Sequence, residues 1–333
     1  MPAVVIAAAR TPWALRHGAL AGARPEVLLA ATLSHVTRAM SPSAAATAVP
    51  VDRLLVACDE SVGAQDLNIA RRVALDLGWS DIPALTVDGA GATGLALVDI
   101  AARLPGRTVV ASLDMTTMVP PGAGRVRDYG RPMRSTPEVT GLDSIAARLG
   151  QDRQSLDGIA SELRQNTSAV QHSHIAPIRV RSRLVDSDAP DDRVLDLVAP
   201  PLIENGIQTS FHHAEYADGA AAVLIDSDGS GGRTIDHHEL SAVAEGDADQ
   251  ALLAVVDRAT HRGATWLAAS NVVEAAIAPL PSDPRLRSPV AAGSAPSGDG
   301  LRMLVDAFHL IPEACTIIRM GALGQIVSVT LGR

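Results

Sequence analysis

The stretch "TVDGAGATGLALVDIAA", residues 86–102, runs from a β-branched segment through a turn into an Ala- and Leu-rich helix. Every residue between Asp88 and Leu95 is Gly, Ala or Thr. A strand that turns into a helix in this way sets a side chain at the helix N-terminus, where backbone N–H groups and the helix dipole favour negative charge. Here nothing on the turn is able to attack.

Outward from this turn, short β-branched runs alternate with helical stretches. "PAVVIAAAR", a helix over 25–39, "RLLVACD", a helix over 67–78, "ALTVD", a helix over 93–104 and "RTVVASLD" follow in order. Strands separated by helices of this length predict an α/β layer fold with a largely parallel, buried sheet. From about Met118 to Ile207 the pattern breaks into polar, Pro- and Arg-rich text with one good helix, about 153–171, and reads as an insertion. The strand rhythm returns in "DGAAAVLID" and in the last hundred residues, with helices over 247–262 and 298–310, the strand "ATWLAASN" and a terminal hairpin "CTIIRMGALGQIVSVTLGR".

Composition bounds the function. A chain of 333 residues, 47% hydrophobic and 20% charged, is long enough for two packed domains. Its net charge of −9 gives no basic footprint for nucleic acid or an anionic membrane. All 28 cationic side chains are Arg, which excludes a lysine Schiff base or general base. Cys58 and Cys315 lie far apart with no CxxC, and "MPAVVIAAARTP" has no basic leader, so a reducing cytoplasm is expected. No apolar run approaches the roughly 20 residues of a membrane-spanning helix.

Several words in order resemble the thiolases, the acetyl-CoA acyltransferases. "AAARTP" (7–12) is similar to the family's opening strand, and "GAQDLNIARRVALDLGWSDIPALTVD" (63–88) to the helix and strand leading to the nucleophile. "DRQSLDGIASELRQNTSA" (152–169) and "IAPI" (175–178) resemble the loop-domain helix and the strand after it, and "DGAAAVLI" (218–225) is the strongest match. The resemblance implies two similar α/β halves packed as five layers (αβαβα) with an inserted loop domain. The N-terminal half would hold 1–117 and 206–227, the loop domain 118–205 and the C-terminal half 234–333. It also implies at least a dimer, formed through the strand and helix beside the nucleophile.

The same resemblance assigns the site residues, and there the chain departs from the family. The nucleophilic Cys falls on Gly91, and the His of "GHPxGxSGxR" falls on Ser294 in "GSAPSGDGLR" (293–302). The second Cys falls at or beside Met320. The oxyanion Asn before "DGAAA" matches His212, and "NEAF" survives as "VEAA", with Val273 and Glu274. Positions 91, 212, 294 and 320 are therefore the expected substrate-binding positions, and His212 is the candidate catalytic residue, a neutral imidazole able to donate to a thioester carbonyl or act as a base. On a strand, His212 and His213 would point to opposite faces.

Other nucleophiles and ligands rank lower. Cys58 and Cys315 read as buried thiols, and Ser294 and Thr93 lack an adjacent base. "HSH" (172–174) and "HH" (237–238) lack metal-ligand spacing, so no metal is expected. "GSGGR" (229–233) reads as a linker, and no resident cofactor is expected, with a coenzyme A thioester as the possible ligand.

The expected function is a thiolase-like protein that binds or handles acyl thioesters without the thiolase nucleophile. It would serve as a non-catalytic partner of an active thiolase or ketosynthase-like enzyme, as a homodimer or hetero-oligomer. The alternative is an acyltransferase, hydrolase or lyase acting on an acyl-CoA through other residues, His212 among them. Ordinary acetyltransferase activity ranks last, because acyl transfer without its nucleophile loses most of its rate.

Overall fold

The computed structural model describes residues 2–39, 50–120, 123, 139–165, 173–189, 193, 195–229, 231–242, 248–277, 288–321 and 324–333. The chain begins with β1 (Val4–Arg10), β2 (Ala14–Leu15), α1 (Pro25–Ala39), β3 (Arg53–Ala57), α2 (Ile69–Asp76), β4 (Ala84–Val87), α3 (Thr93–Arg103) and β5 (Arg107–Met115). Next come α4 (Val139–Arg148), α5 (Arg153–Arg164), β6 (Ile178–Val180), β7 (Arg183–Val185), β8 (Ala217–Asp226) and β9 (Arg233–Ala242). The chain closes with α6 (Ala248–Thr260), β10 (Ala264–Leu267), α7 (Val272–Ala275), α8 (Pro289–Ala292), α9 (Asp299–Leu310), β11 (Cys315–Met320) and β12 (Gln325–Leu331).

The strand order is β10-β11-β12-β9-β1-β8-β5-β3-β4, with β2 and the β6–β7 hairpin off this path. β3 pairs in parallel with both β4 and β5, whereas β8 is antiparallel to β1 and β5, in register from Arg107↔Asp226 to Met115↔Asp218. The two parts of the sheet are stitched only where β9 meets β1, at Val4↔Thr234 and Val5↔Arg233. All ten residues of β8 are buried. Alternation sends Ala220, Ala222 and Leu224 into one helical layer and Ala221, Val223 and Ile225 into another. Alanine at most of these positions lets helices approach both faces.

Three apolar clusters define the stacking. α1 and α2 cover the outer face of the N-terminal strands, α3 and α9 lie between the two parts of the sheet, and α6 covers Ile318, Met320 and Ile326 on the far side. The order is helix, sheet, helix, sheet, helix. "ALTVD" and "DGAAAVLI" fall in the same sheet, as β4 and β8.

One long strand, besides the short β2 and β7, was not legible in the sequence. β9 begins at Arg233, inside the apparent linker, after Gly231 and Gly232 turn with φ of 92° and 111°. It carries the polar run Asp236, His237, His238 and Glu239 along both faces, so its text lacks the apolar continuity of the other strands. The sequence-predicted helix over 153–171 ends at Arg164, and 166–172 lie outside the described residues.

The middle layer is tightest at Gly94, whose N–H donates to Ser297 O at 3.0 Å and whose missing Cβ would lie 2.6 Å from that oxygen. The obstacle is backbone held at the start of α9 and cannot swing aside. Gly94→Ala is expected to destabilise the protein by about 1–3 kcal/mol, read as a lowered midpoint in urea. An unchanged midpoint would mean that α3 and the 294–298 loop are not in contact.

Candidate functional site

The positions assigned to the nucleophile and the histidine, Gly91 and Ser294, converge with Arg319, the neighbour of Met320, where β3 and β4 end, α3 begins and β11 runs out. The turn before α3 is left-handed at Ala90 (φ 56°) and Gly91 (φ 96°). A residue without Cβ adopts the latter at little cost, and any side chain there would be strained. The turn is braced from within: Gly89 N–H donates to Thr93 Oγ1 at 2.9 Å, and Thr93 Oγ1 donates to Asp59 Oδ1 at 2.7 Å. The Thr93 hydroxyl is thus committed to structure.

Arg319 occupies the centre. β11 alternates, so Ile318 and Met320 face the α6 layer while Ile317 and Arg319 face inward. Arg319 Nε donates to Gly91 O at 2.9 Å, its Nη1 donates to Ala268 O, and its Nη2 stands 3.4 Å from Asp299 Oδ2. Asp299 Oδ2 also accepts from Ser294 Oγ at 2.7 Å, and Oδ1 from Ala295 N–H at 2.9 Å. A continuous polar chain therefore links Gly91, Arg319, Asp299 and Ser294. All four are buried.

Carboxyl groups surround this guanidinium. Burial raises the pKa of Asp299 and Glu274, with Arg319 as the leading opposing influence on each. Burial lifts Asp59 to about 6, with the Thr93 hydrogen bond opposing and the charge of Asp88 adding. Asp114, fully enclosed, is pushed well above the carboxylate range by burial and then by Asp59, although Ser297 N–H and Oγ both donate to it at 2.8 Å. The site is rich in buried acid and holds one close cation, which is already engaged.

The other sequence-predicted residues lie elsewhere. Met320 packs with Leu252, Val255 and Ile326 in the outer layer, and the residue beside it, Arg319, faces the site. His212 lies in a 3-10 turn, Ser210–His212, rather than on a strand. Thr209 N–H donates to His212 Nδ1 at 3.0 Å, which leaves Nε2 to carry the proton and donate to Asp157 Oδ1 at 2.8 Å. The bond from Thr209 N–H to Nδ1 closes the turn, and together with Asp157 it takes both ring nitrogens. Burial lowers the His212 pKa. His213 faces Asn271 Nδ2 at 3.0 Å and is pushed down to about 4 by burial and then by His212.

Val273 joins an apolar cluster with Phe211 and Leu156. Burial raises both thiols, Cys58 and Cys315, away from the reactive thiolate. Of "HSH", His172 is outside the described residues and His174 Nε2 meets Asp306 at 3.0 Å; His238 Nδ1 meets Asp99 at 2.7 Å. Among the described residues no group of three or more side chains is placed to hold a metal, and no helix is long and apolar enough to cross a membrane.

Sequence reading missed Arg319, Asp299, Asp59 and Asp114. Two of them did leave a signal: an Arg inside the apolar run "CTIIRM" and an Asp in "GSAPSGDG" are charges where buried strand and turn text calls for none.

No protein-family model matches the sequence, and no curated protein is detectably similar to it. Among solved structures, the acetyl-CoA acetyltransferase from Syntrophomonas wolfei superposes with a TM-score of 0.79 at 16% identity, over 99% of this chain and 98% of that one. Human mitochondrial 3-ketoacyl-CoA thiolase in complex with CoA gives 0.79 at 17% identity, over 99% and 97%. At such identities the likeness speaks for the fold. The chain has the thiolase fold over essentially its whole length.

Asp59 makes the electrostatics testable. A carboxyl whose pKa is raised on folding contributes stability below its unfolded value and loses it as pH rises through the folded one, here between about 4 and about 6. Asp59→Asn, which can still accept from Thr93, is therefore expected to raise the thermal midpoint at pH 8 by about 3–6 °C. The gain should vanish below pH 4. An equal shift at both pH values would contradict the assignment.

Proposed function

We propose that this chain is a thiolase-fold subunit that binds or handles an acyl thioester, such as a coenzyme A thioester, without forming an acyl-enzyme. In this reading it acts as the non-catalytic partner of an active thiolase or ketosynthase-like enzyme. The observation that carries it is the buried chain Gly91–Arg319–Asp299–Ser294. Each family catalytic position is met by a group with no nucleophilic or proton-shuttling role, and beside them stands a guanidinium already engaged by two carbonyls and a carboxylate. Acyl transfer needs a nucleophile, a base and oxyanion donors, and loss of any one removes orders of magnitude in rate.

Support for a partner subunit comes from β4. Among the described residues it is the last strand in the sheet order, with Leu85 58% exposed and Leu67, two residues before α2, 81% exposed. An unpaired edge bearing apolar side chains is a template for another chain. A homodimer or a hetero-oligomer with a related thiolase would cover it. A cytoplasmic setting fits two free, buried cysteines.

The alternative is an acyltransferase, hydrolase or lyase working through His212. Its weakness is that the Thr209 and Asp157 contacts leave neither ring nitrogen for a thioester oxygen.

The proposal expects no thiolysis of acetoacetyl-CoA by the isolated protein and no mass gain after incubation with acetyl-CoA. Hydrolysis, decarboxylation and retro-aldol cleavage of acyl-CoA should be equally silent for the wild type and for His212→Gln. A stable acetyl adduct on Cys58 or Cys315, or a turnover lost in His212→Gln with the fold intact by circular dichroism, would overturn it.

A further inference from the structure

The segment 173–189 is fastened at both ends to β1 and the turn after it. Arg10 N–H donates to His174 O at 3.1 Å, Ala176 N–H to Arg10 O at 2.7 Å and Ala189 N–H to Trp13 O at 2.9 Å. Arg10 clamps Asp188 through Nη1 and Nη2 at 2.6 and 2.8 Å, and its Nε donates to Asp306 Oδ1 of α9 at 2.6 Å. His174 Nε2 donates to the same Asp306 oxygen at 3.0 Å. The His174 ring also lies flat on His309 of α9, with centroids 4.4 Å apart and planes within 5° of each other. His309 Nε2 in turn donates to Ala8 O at 2.8 Å. A third imidazole, His35 of α1, donates through Nε2 to Ser173 O at 2.9 Å.

We propose that His35, His174 and His309 form an acid-released fastening, which holds residues 173–189 on the N-terminal strands at neutral pH and frees them on acidification while the sheet stays folded. The charged groups facing the three rings are Arg38 on α1, Arg10 on β1, Asp188 on the segment itself, and Arg302 and Asp306 on α9. Arg10, Arg302, Asp188 and Asp306 are buried and balance one another. A proton added to an imidazole therefore exceeds what the two carboxylates neutralise. Within the stacked pair, a second proton would set like charges 4.4 Å apart. Partial burial lowers the His309 pKa from 6.5 to about 4, with the Ala8 bond opposing and His174 and His35 adding. Burial likewise lowers His35, with Ser173 opposing and Arg38 and His174 adding. Neutral rings thus belong to the attached segment and charged rings to the released one. His309 is exposed along one edge, so protons reach the cluster without prior unfolding. None of this depends on whether the thiolase-like site is catalytic.

Hydrogen exchange of the intact protein, followed by mass spectrometry and corrected for the intrinsic rate at each pH, reads the fastening directly. A histidine whose pKa is lowered in the attached form takes up its proton on release, so attachment is full above 6.5 and weakens as pH falls toward about 4. Over that range, exchange of peptides covering 173–189 should quicken roughly tenfold per pH unit for each proton taken up. Peptides covering β8 should stay protected. His309→Gln keeps a donor for Ala8 O and cannot become charged, and should remove about one proton from the slope. His35→Gln keeps a donor for Ser173 O and should reduce the slope independently, by up to about one proton. His261→Gln, at an exposed ring bonded to Asp257 O after α6, should leave it unchanged. Loss of protection by 173–189 and β8 at the same pH, or protection of 173–189 that does not change with pH, would overturn the proposal. So would a wild-type slope in either His309→Gln or His35→Gln when its circular dichroism matches the wild type.

Discussion

The contact between Arg319 and Asp299 joins two elements of the C-terminal part to each other and to the turn before α3. Arg319 comes from the end of β11 and Asp299 from the first turn of α9, while the guanidinium also reaches the Gly91 carbonyl before α3 and the Ala268 carbonyl after β10. Both halves of the molecule therefore meet on one cation. Burying an arginine is costly unless its donors are satisfied and its charge is met, and here two carbonyls and a carboxylate do so. Without it, Asp299 and Glu274 would lose the charge that most opposes the cost of their burial.

That arrangement is how the proposed loss of acyl-transfer chemistry is compatible with the thiolase fold. Thioester condensation and thiolysis develop negative charge on a carbonyl oxygen, and a competent site aims donors at that oxygen. Here the Gly91 turn offers its carbonyl to Arg319, and the first turn of α3 is braced by the Asp59 carboxyl through Thr93. An incoming thioester would meet a consumed cation and nearby acids. The same interactions hold the turn, the 293–299 loop and β11 in register, so what disfavours catalysis maintains the scaffold.

Much of the fold was legible because its signals are local. Strands β1, β3, β4, β5 and β8 are short apolar runs bounded by turns, and helices α1, α3 and α9 fall within a residue or two of their predicted limits. β9 was missed because its text is polar and its partners, β1 and β12, are remote in sequence. The site was legible in part. Gly91 and Ser294 were named only through the resemblance to the thiolases, whose words at 86–91 and 293–302 place them. The step from Met320 to Arg319 could not be made that way, because a one-residue change on a strand reverses the face and only packing against α6 decides which face is inward. His212 failed differently. A local cap with Thr209 took the ring that a strand would have turned toward the pocket.

The account rests on the claim that a buried ion pair has taken over the place of the thiolase catalytic set, and a double-mutant cycle tests this most directly. Unfolding in urea would be measured for the wild type, Arg319→Met, Asp299→Asn and the double variant. Removing Arg319 alone strands the acid and should cost about 3–5 kcal/mol, whereas the double variant should recover much of that loss, with a coupling of about 2 kcal/mol or more. Additive effects of the two substitutions would show that Arg319 and Asp299 do not depend on each other, and would contradict the account.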